Sequence, residues 1–193
     1  LPAGPGRVVF EGVGFGYDPS RPVLAGIDLE IPAGRTIALI GASGAGKTTL
    51  ASLVPRFYDA ADGRILIDGV DVRNVTRRSL RRAVGVISQD PFLFSASVRD
   101  NIAFGVPDVG QDLVEAAARA AQAHPFIEEL PDGYETVIGE RGITLSGGQR
   151  QRLAIARAIV RKPGVYLFDD SFSALDYATD AALRLALAPR TRE

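Results

Sequence analysis

The sequence predicts an α/β domain built on a core of parallel strands. Short apolar runs of strand length, such as TIALIG (36–41), VGVIS (84–88) and VYLF (165–168), alternate with longer stretches of helical pattern. A glycine-rich loop, GASGAGKT (41–48), stands between one of these runs and the start of a helix. Ahead of both, two alternating runs joined by a turn read as an antiparallel pair of strands.

The elements follow in order. LPAGPG (1–6) is linker-like, rich in Pro and Gly. RVVFEGVGFGY (7–17) alternates, and VLAGIDLEI (23–31) follows the PSRP turn. TIALIG comes after a PAG turn, and a helix begins near Gly46. ILIDG (65–69) is a strand with a turn behind it, and VGVIS a short apolar strand. From Ser97 to Val160 the pattern is mostly helical, Ala-rich around 111–123 and 149–161. VYLF reads as a buried strand, and Asp176 to Ala188 as a helix. There is no internal repeat and no low-complexity tract.

Composition narrows the function classes. The chain has 193 residues, 46% hydrophobic and 23% charged, with a net charge of −1. That balance opposes non-specific binding to nucleic acid or to an anionic membrane. With no cysteine there is no disulfide framework and no thiolate metal site. The single histidine, His124 in QAHPF, rules out a multi-histidine metal site and is expected to be a surface or packing residue. No apolar run approaches the ~18 residues that span a bilayer, and no signal peptide opens the chain. There is no methionine either, so Leu1 is expected to be a cut or processed end of something longer. Of 22 basic residues only Lys47 and Lys162 are lysines.

GASGAGKT fits the pattern G-x-x-x-x-G-K-[ST]. Its glycines let consecutive backbone N–H groups turn inward around an anion, and the helix behind adds its positive end. This predicts nucleotide binding by Gly41, Ala42, Ser43, Gly44, Ala45, Gly46, Lys47, Thr48 and Thr49. Lys47 reaches the β- and γ-phosphates, and the Thr48 hydroxyl ligates Mg²⁺. A compact ammonium suits the narrow loop where arginine's planar fork does not. P-loop proteins carry a second strand that ends in a carboxylate holding Mg²⁺ through water, and VYLF followed by Asp169 supplies it. The plain alternative for Asp169 is a helix cap or turn.

LSGGQ (145–149) precedes the helix QRQRLAIARAIV. Ser146 and Gln149 alone would make a capping box. Gly147 and Gly148 in the first turn cost up to ~1 kcal/mol each relative to Ala, which a cap does not require. Bare backbone lets a phosphate come close, so a second anion site explains them. One nucleotide does not need two anion-binding helix ends. A head-to-tail dimer, each cradle facing the other chain's LSGGQ, uses both.

Taken together, GASGAGKT, LSGGQ, VYLFD and SALD resemble the Walker A, signature, Walker B and D-loop motifs of an ABC transporter ATPase domain, in order and over nearly the whole chain. The resemblance implies a P-loop NTPase fold with a RecA-like parallel core, an N-terminal antiparallel β subdomain and an inserted α-helical subdomain. It implies one domain over 1–193: residues 1–40 mostly antiparallel β, 41–89 and 163–193 the P-loop core, and 90–162 the helical subdomain. The last core strands of the family are missing. ATP and Mg²⁺ are the implied ligands. Tyr17 matches the aromatic that stacks on adenine, its plain alternative being a core tyrosine. Gln89 matches the Q-loop glutamine that contacts Mg²⁺ and the attacking water. Ser146, Gly147, Gly148 and Gln149 contact ATP in trans, and Ser173, Ala174, Leu175 and Asp176 form the D-loop. QDPFLFSASVRDNIAFG and GERG (139–142) are similar to the exporter type. The 89–95 region then meets a transmembrane domain, with Phe92, Leu93 and Phe94 an apolar patch needing a partner, or in part core residues. The implied location is the cytoplasmic face of a membrane, within an integral transporter.

Two departures from the family stand out. Active members carry glutamate after the Walker B aspartate, as general base on water; here it is Asp170, shorter by about 1.5 Å. The family's switch histidine falls on a strand beyond Glu193. With Lys47 and Gln89, Asp170 completes the expected catalytic set. Asp170 beside an intact LSGGQ implies a heterodimer with one weak site, in which this chain's LSGGQ completes a partner's active site, although a homodimer stays open. Two alternatives belong to other classes: an ATP-gated dimerisation module without catalysis, and a soluble ABC ATPase of repair or translation, which the near-neutral charge opposes.

Overall fold

A computed structural model describes residues 1, 4–139, 145–172 and 176–187. The chain divides into two compact units, Leu1–Val84 and Gly85–Arg190.

In the first unit β1 (Val8–Phe15) and β2 (Leu24–Ile31) pair antiparallel, with Val8 opposite Ile31 and Phe10 opposite Leu29, as the alternating runs predict. β1 is the inner strand. Its other edge pairs antiparallel with β3 (Asp62–Ile67), which turns at Asp68–Gly69 into the short β4 (Val70–Asp71). The sheet order is β2-β1-β3-β4. Alternation puts Val8, Phe10, Ile65 and Ile67 in the core, and a register shift between Phe10 and Val13 brings Val13 inward as well. The Asp68 carboxylate accepts from the N–H of Gly6 at 3.0 Å and of Arg7 at 2.8 Å, tying the leading residues to the β3–β4 turn. Two helices complete the unit, α1 (Lys47–Leu53) and α2 (Arg77–Ala83), the second capped by Thr76.

One expected strand is not there. Thr36–Ile40 is irregular, and Ile40 is 93% exposed. Ile, Leu and Thr fit a strand by propensity, but a strand exists only through a ladder with a neighbour. No described residue forms one with this run.

The second unit opens with β5 (Val84–Ile87), which pairs with β6 (Val165–Phe168). Between them run α3 (Val98–Ala103), α4 (Gln111–Ala120), α5 (His124–Glu128) and α6 (Gly147–Val160); α7 (Tyr177–Leu187) follows β6. α6 packs on α3 and α4 through Leu153, Ile155, Ala156 and Ile159. β6 differs from the buried strand expected, since all of its residues are only half-buried. A two-stranded pairing covers it less than a strand inside a wide sheet. His124 is a packing histidine: it is 7% exposed, with Nδ1 2.9 Å from the Tyr134 hydroxyl and Nε2 3.1 Å from Glu128.

Gly63 is the most constrained point of the first sheet. Its φ is +72°, and a Cβ there would press into the carbonyl oxygens of Glu11 and Gly12. Gly63→Ala combines a left-handed backbone with a backbone clash, so we expect a loss of at least about 3 kcal/mol, read as a lower urea midpoint.

Candidate functional site

The glycine-rich loop is exposed over residues 41–45. Gly44 has φ +80° and Gly46 φ +88°, the region a Cβ disfavours. Gly46 is also crowded, because a Cβ there would lie 2.9 Å from Leu24 Cδ2. It is the N-cap of α1, whose first N–H groups have no side-chain cap and no acidic neighbour in the first turn. Lys47 follows, and its Nζ donates to the carbonyl oxygens of Gly41 at 2.9 Å and Ala42 at 2.8 Å, so the ammonium closes the loop back on itself. Thr48 is exposed, whereas Thr49 is buried.

Tyr17 is 59% exposed, so it is not a core tyrosine. Its hydroxyl lies 3.1 Å from Thr49 Oγ1, in the turn after the loop. Phe15 and Tyr58 meet its ring edge-on, with centroids at 5.1 and 5.2 Å. The structure thus brings Tyr17 beside the loop, two elements that lie far apart in sequence.

In the second unit Gln89 and Asp169 stand at the same end of the β5–β6 pair. The Asp169 N–H donates to Ile87 O at 2.9 Å, and the buried Ser171 hydroxyl donates to the same oxygen at 2.6 Å. Asp169 is half-buried. Asp170 is exposed and has φ +49°, a left-handed conformation that aspartate tolerates.

At LSGGQ the capping box is present. Gln149 N–H donates to Ser146 Oγ at 3.2 Å, and Ser146 N–H donates to Gln149 Oε1 at 2.8 Å. Gly147 and Gly148 form the first turn of α6. The box engages the Ser146 and Gln149 side chains, while the glycines carry none. Ser173, Ala174 and Leu175 lie outside the described residues, as do 140–142 of GERG. Asp176 accepts from Thr179 N–H at 2.9 Å and from its hydroxyl at 2.7 Å, and these bonds hold its carboxyl below the usual range.

The expected apolar patch is divided. Phe92 is 55% exposed and Phe94 half-buried, but Leu93 is fully buried and belongs to the core. The residues that hold this segment were not foreseen. Buried Asn101 accepts from Phe94 N–H at 2.8 Å and donates to Phe94 O at 3.0 Å. The Arg157 guanidinium donates to Phe92 O at 2.8 Å, Asn101 O at 2.7 Å and Asn101 Oδ1 at 2.9 Å. It also lies 5.5 Å from the Phe94 ring centroid and 5.8 Å from that of Phe104. Burial pushes its pKa down to about 10, so it stays charged at neutral pH. Gln151, fully buried, donates to Ser88 O and Gln89 O at 3.1 Å each. For Gln151 the available signal was a polar side chain on the face of α6 that also carries Ile155 and Ala158; Arg157 lies on the stripe of Arg150 and Arg161, where an arginine is unremarkable.

Thr48, Gln89 and Asp169 offer a hydroxyl, an amide oxygen and a carboxylate. Thr48 belongs to the first unit and Gln89 and Asp169 to the second; each is an oxygen donor of the kind that suits Mg²⁺ keeping waters and phosphate oxygens as its other ligands. Among the described residues no cluster of His, Asp and Glu forms a self-sufficient metal site. Nor is any described helix long and apolar enough to cross a membrane.

Residues 24–173 match the protein family described as ABC transporter. The chain is 50% identical, over 94% of its length, to the ATP-dependent lipid A-core flippase of Chromohalobacter salexigens, covering 32% of that protein. It is also 50% identical, over 90% of its length, to the ATM1-type heavy metal exporter of Novosphingobium aromaticivorans, covering 28% of it. Among solved structures, a bacterial Atm1-family ABC exporter with ATP bound aligns over the whole chain and 34% of its own, at TM-score 0.95 and 45% identity. The α/β P-loop fold is that of the exporter structure. The chain spans a third or less of the length of the curated relatives it matches.

Arg157 makes a prediction independent of any ligand. Arg157→Met keeps the stem but strips three charge-assisted donors from Phe92 O and the two oxygens of buried Asn101, at a cost of about 3 kcal/mol, measurable as a lower urea midpoint with unchanged slope.

Proposed function

Since the chain belongs to the ABC transporter family, we propose that it is the ATP-binding and ATP-hydrolysing domain of an exporter, coupling ATP-driven head-to-tail dimerisation to transport by a membrane domain. The observation that carries this reading is the match of the entire chain to about a third of an Atm1-family ABC exporter solved with ATP bound. The whole of 1–193 is read as one domain on the cytoplasmic face of a membrane, meeting the transmembrane part through 89–95.

The residues take these roles. Backbone N–H groups of 41–49 wrap the phosphates, with Lys47 as the mobile cation, and Tyr17 stacks on the base. Thr48, Gln89 and Asp169 would hold Mg²⁺, which when bound neutralises phosphate charge. Gln89 orients the attacking water, and Asp170 takes its proton. Ser146, Gly147, Gly148 and Gln149 meet the partner's nucleotide, with Asp176 and the rest of the D-loop along the same contact. The Ser146–Gln149 box fits this role, because Gly147 and Gly148 leave the backbone of the first turn bare.

Asp170 limits the chemistry. A base short by about 1.5 Å loses direct contact with its proton, and a misplacement near 1 Å costs on the order of 10²-fold. This chain's own site therefore turns over slowly, and its signature segment serves a glutamate-bearing partner. A second reading, ATP-gated dimerisation with no useful turnover, is favoured by the same residue.

Phosphate release and ATP binding by the intact protein separate these readings. Lys47→Ala abolishes both. Asp170→Glu raises kcat by roughly 10- to 100-fold with little change in KM. Brisk hydrolysis by a homodimer, unchanged by Asp170→Glu, rules out the heterodimer. ATP-dependent dimerisation with no phosphate release, even after Asp170→Glu, establishes the second reading.

A further inference from the structure

The segment between β5 and α3 carries Gln89 and forms no strand of its own, so side chains decide where its backbone lies. Three successive carbonyls at its start are held. Ile87 O receives Asp169 N–H and the Ser171 hydroxyl, and Ser88 O and Gln89 O both receive Gln151 Nε2. Gln151 is 0% exposed, and its Oε1 has no hydrogen-bond partner among the described residues.

Core packing does not explain this residue. An unsatisfied amide oxygen in the interior costs free energy, and a methionine of similar length fills the same space without the cost. What the amide adds is a two-pronged hold on the two carbonyls that flank the Gln89 Cα, those of the Ser88–Gln89 and Gln89–Asp90 peptides. The hold comes from α6, the helix that opens at Ser146, and not from the strand that precedes Gln89.

We propose that Gln151 is a positioning residue: its side-chain amide fixes the backbone of Gln89, so that α6 places the glutamine that orders the attacking water. The inference rests on Gln89 acting in ATP hydrolysis as proposed above. It goes further by assigning the placement of Gln89 to a buried residue of α6 outside the LSGGQ segment.

The test is a double-mutant cycle in the intact protein with Gln151→Met, Gln89→Ala and the pair. Gln151→Met lowers kcat for ATP hydrolysis by roughly 10- to 100-fold while KM for ATP stays within about two-fold. In the Gln89→Ala background it adds no further loss. A loss of equal size in both backgrounds marks a purely structural residue and overturns the proposal, as does an unchanged kcat. A second readout does not depend on hydrolysis. The chain has no cysteine, so Asp90→Cys takes a single spin label once any cysteine elsewhere in the intact protein is replaced by serine. The label is restricted when Gln151 is present and mobile in Gln151→Met; an identical spectrum overturns the proposal. Gln151→Asn, which keeps the amide but falls one methylene short, gives the same two changes and replaces Gln151→Met should that variant misfold. If the unsubstituted protein releases no phosphate, the ATPase reading fails, and the spectra alone decide whether Gln151 holds Gln89.

Discussion

Two donors share the carbonyl oxygen of Ile87, the N–H of Asp169 at 2.9 Å and the hydroxyl of Ser171 at 2.6 Å. That acceptor is the last of β5, and its donors are the first residues past β6, so the ends of two strands far apart in sequence are locked together. The polar residues at this end of the β5–β6 pair depart from this lock. Gln89 leaves it on one side and Asp169 on the other. Beyond it the chain has no ladder to follow, and its main-chain groups must be satisfied by side chains. Gln151, Arg157 and Asn101 supply them, the first two from α6 and the third from α3. A polar loop in a packed unit is thereby as constrained as a strand.

The phosphate loop of the first unit is built by the opposite means. Its shape comes from backbone angles that side chains disfavour, at Gly44 and Gly46, and from Lys47 reaching back to the Gly41 and Ala42 carbonyls. The same ammonium that closes the loop is the cation proposed for the phosphates. Exchanging two carbonyl acceptors for phosphate oxygens keeps its donors in use and gains full charge, which makes lysine at this place both a structural clasp and a ligand.

The sequence made legible whatever depends on local chemistry. β1 and β2, the helix after Gly46, the capping box at Ser146 and the helix after Asp176 all follow from alternation, glycine placement and caps, and each is present. What escaped depends on neighbours. Thr36–Ile40 has the residues of a strand and no ladder, and β6 is half-buried for want of cover. Leu93 turned inward between two less buried phenylalanines. The clasping residues Gln151 and Arg157 lie in a helix that reads as ordinary and amphipathic. Only the place of Gln151 on a face that should be apolar set it apart; Arg157 falls in line with Arg150 and Arg161, and no periodicity says which carbonyl a buried donor will find.

The adjacent aspartates after β6 differ in the two properties on which their proposed roles depend, placement and reach. Asp169 is tied through its N–H to Ile87, so its carboxylate is carried by the sheet and inherits the sheet's rigidity. Asp170 breaks the extended path with φ +49° and is exposed. A metal ligand acting through water needs fixed placement, which Asp169 has by construction. A base needs reach, and reach from a backbone that has already turned depends on side-chain length. Loss of one methylene is therefore felt at Asp170 far more than it would be at Asp169. That asymmetry is the physical ground for the slow turnover proposed for this chain's own site.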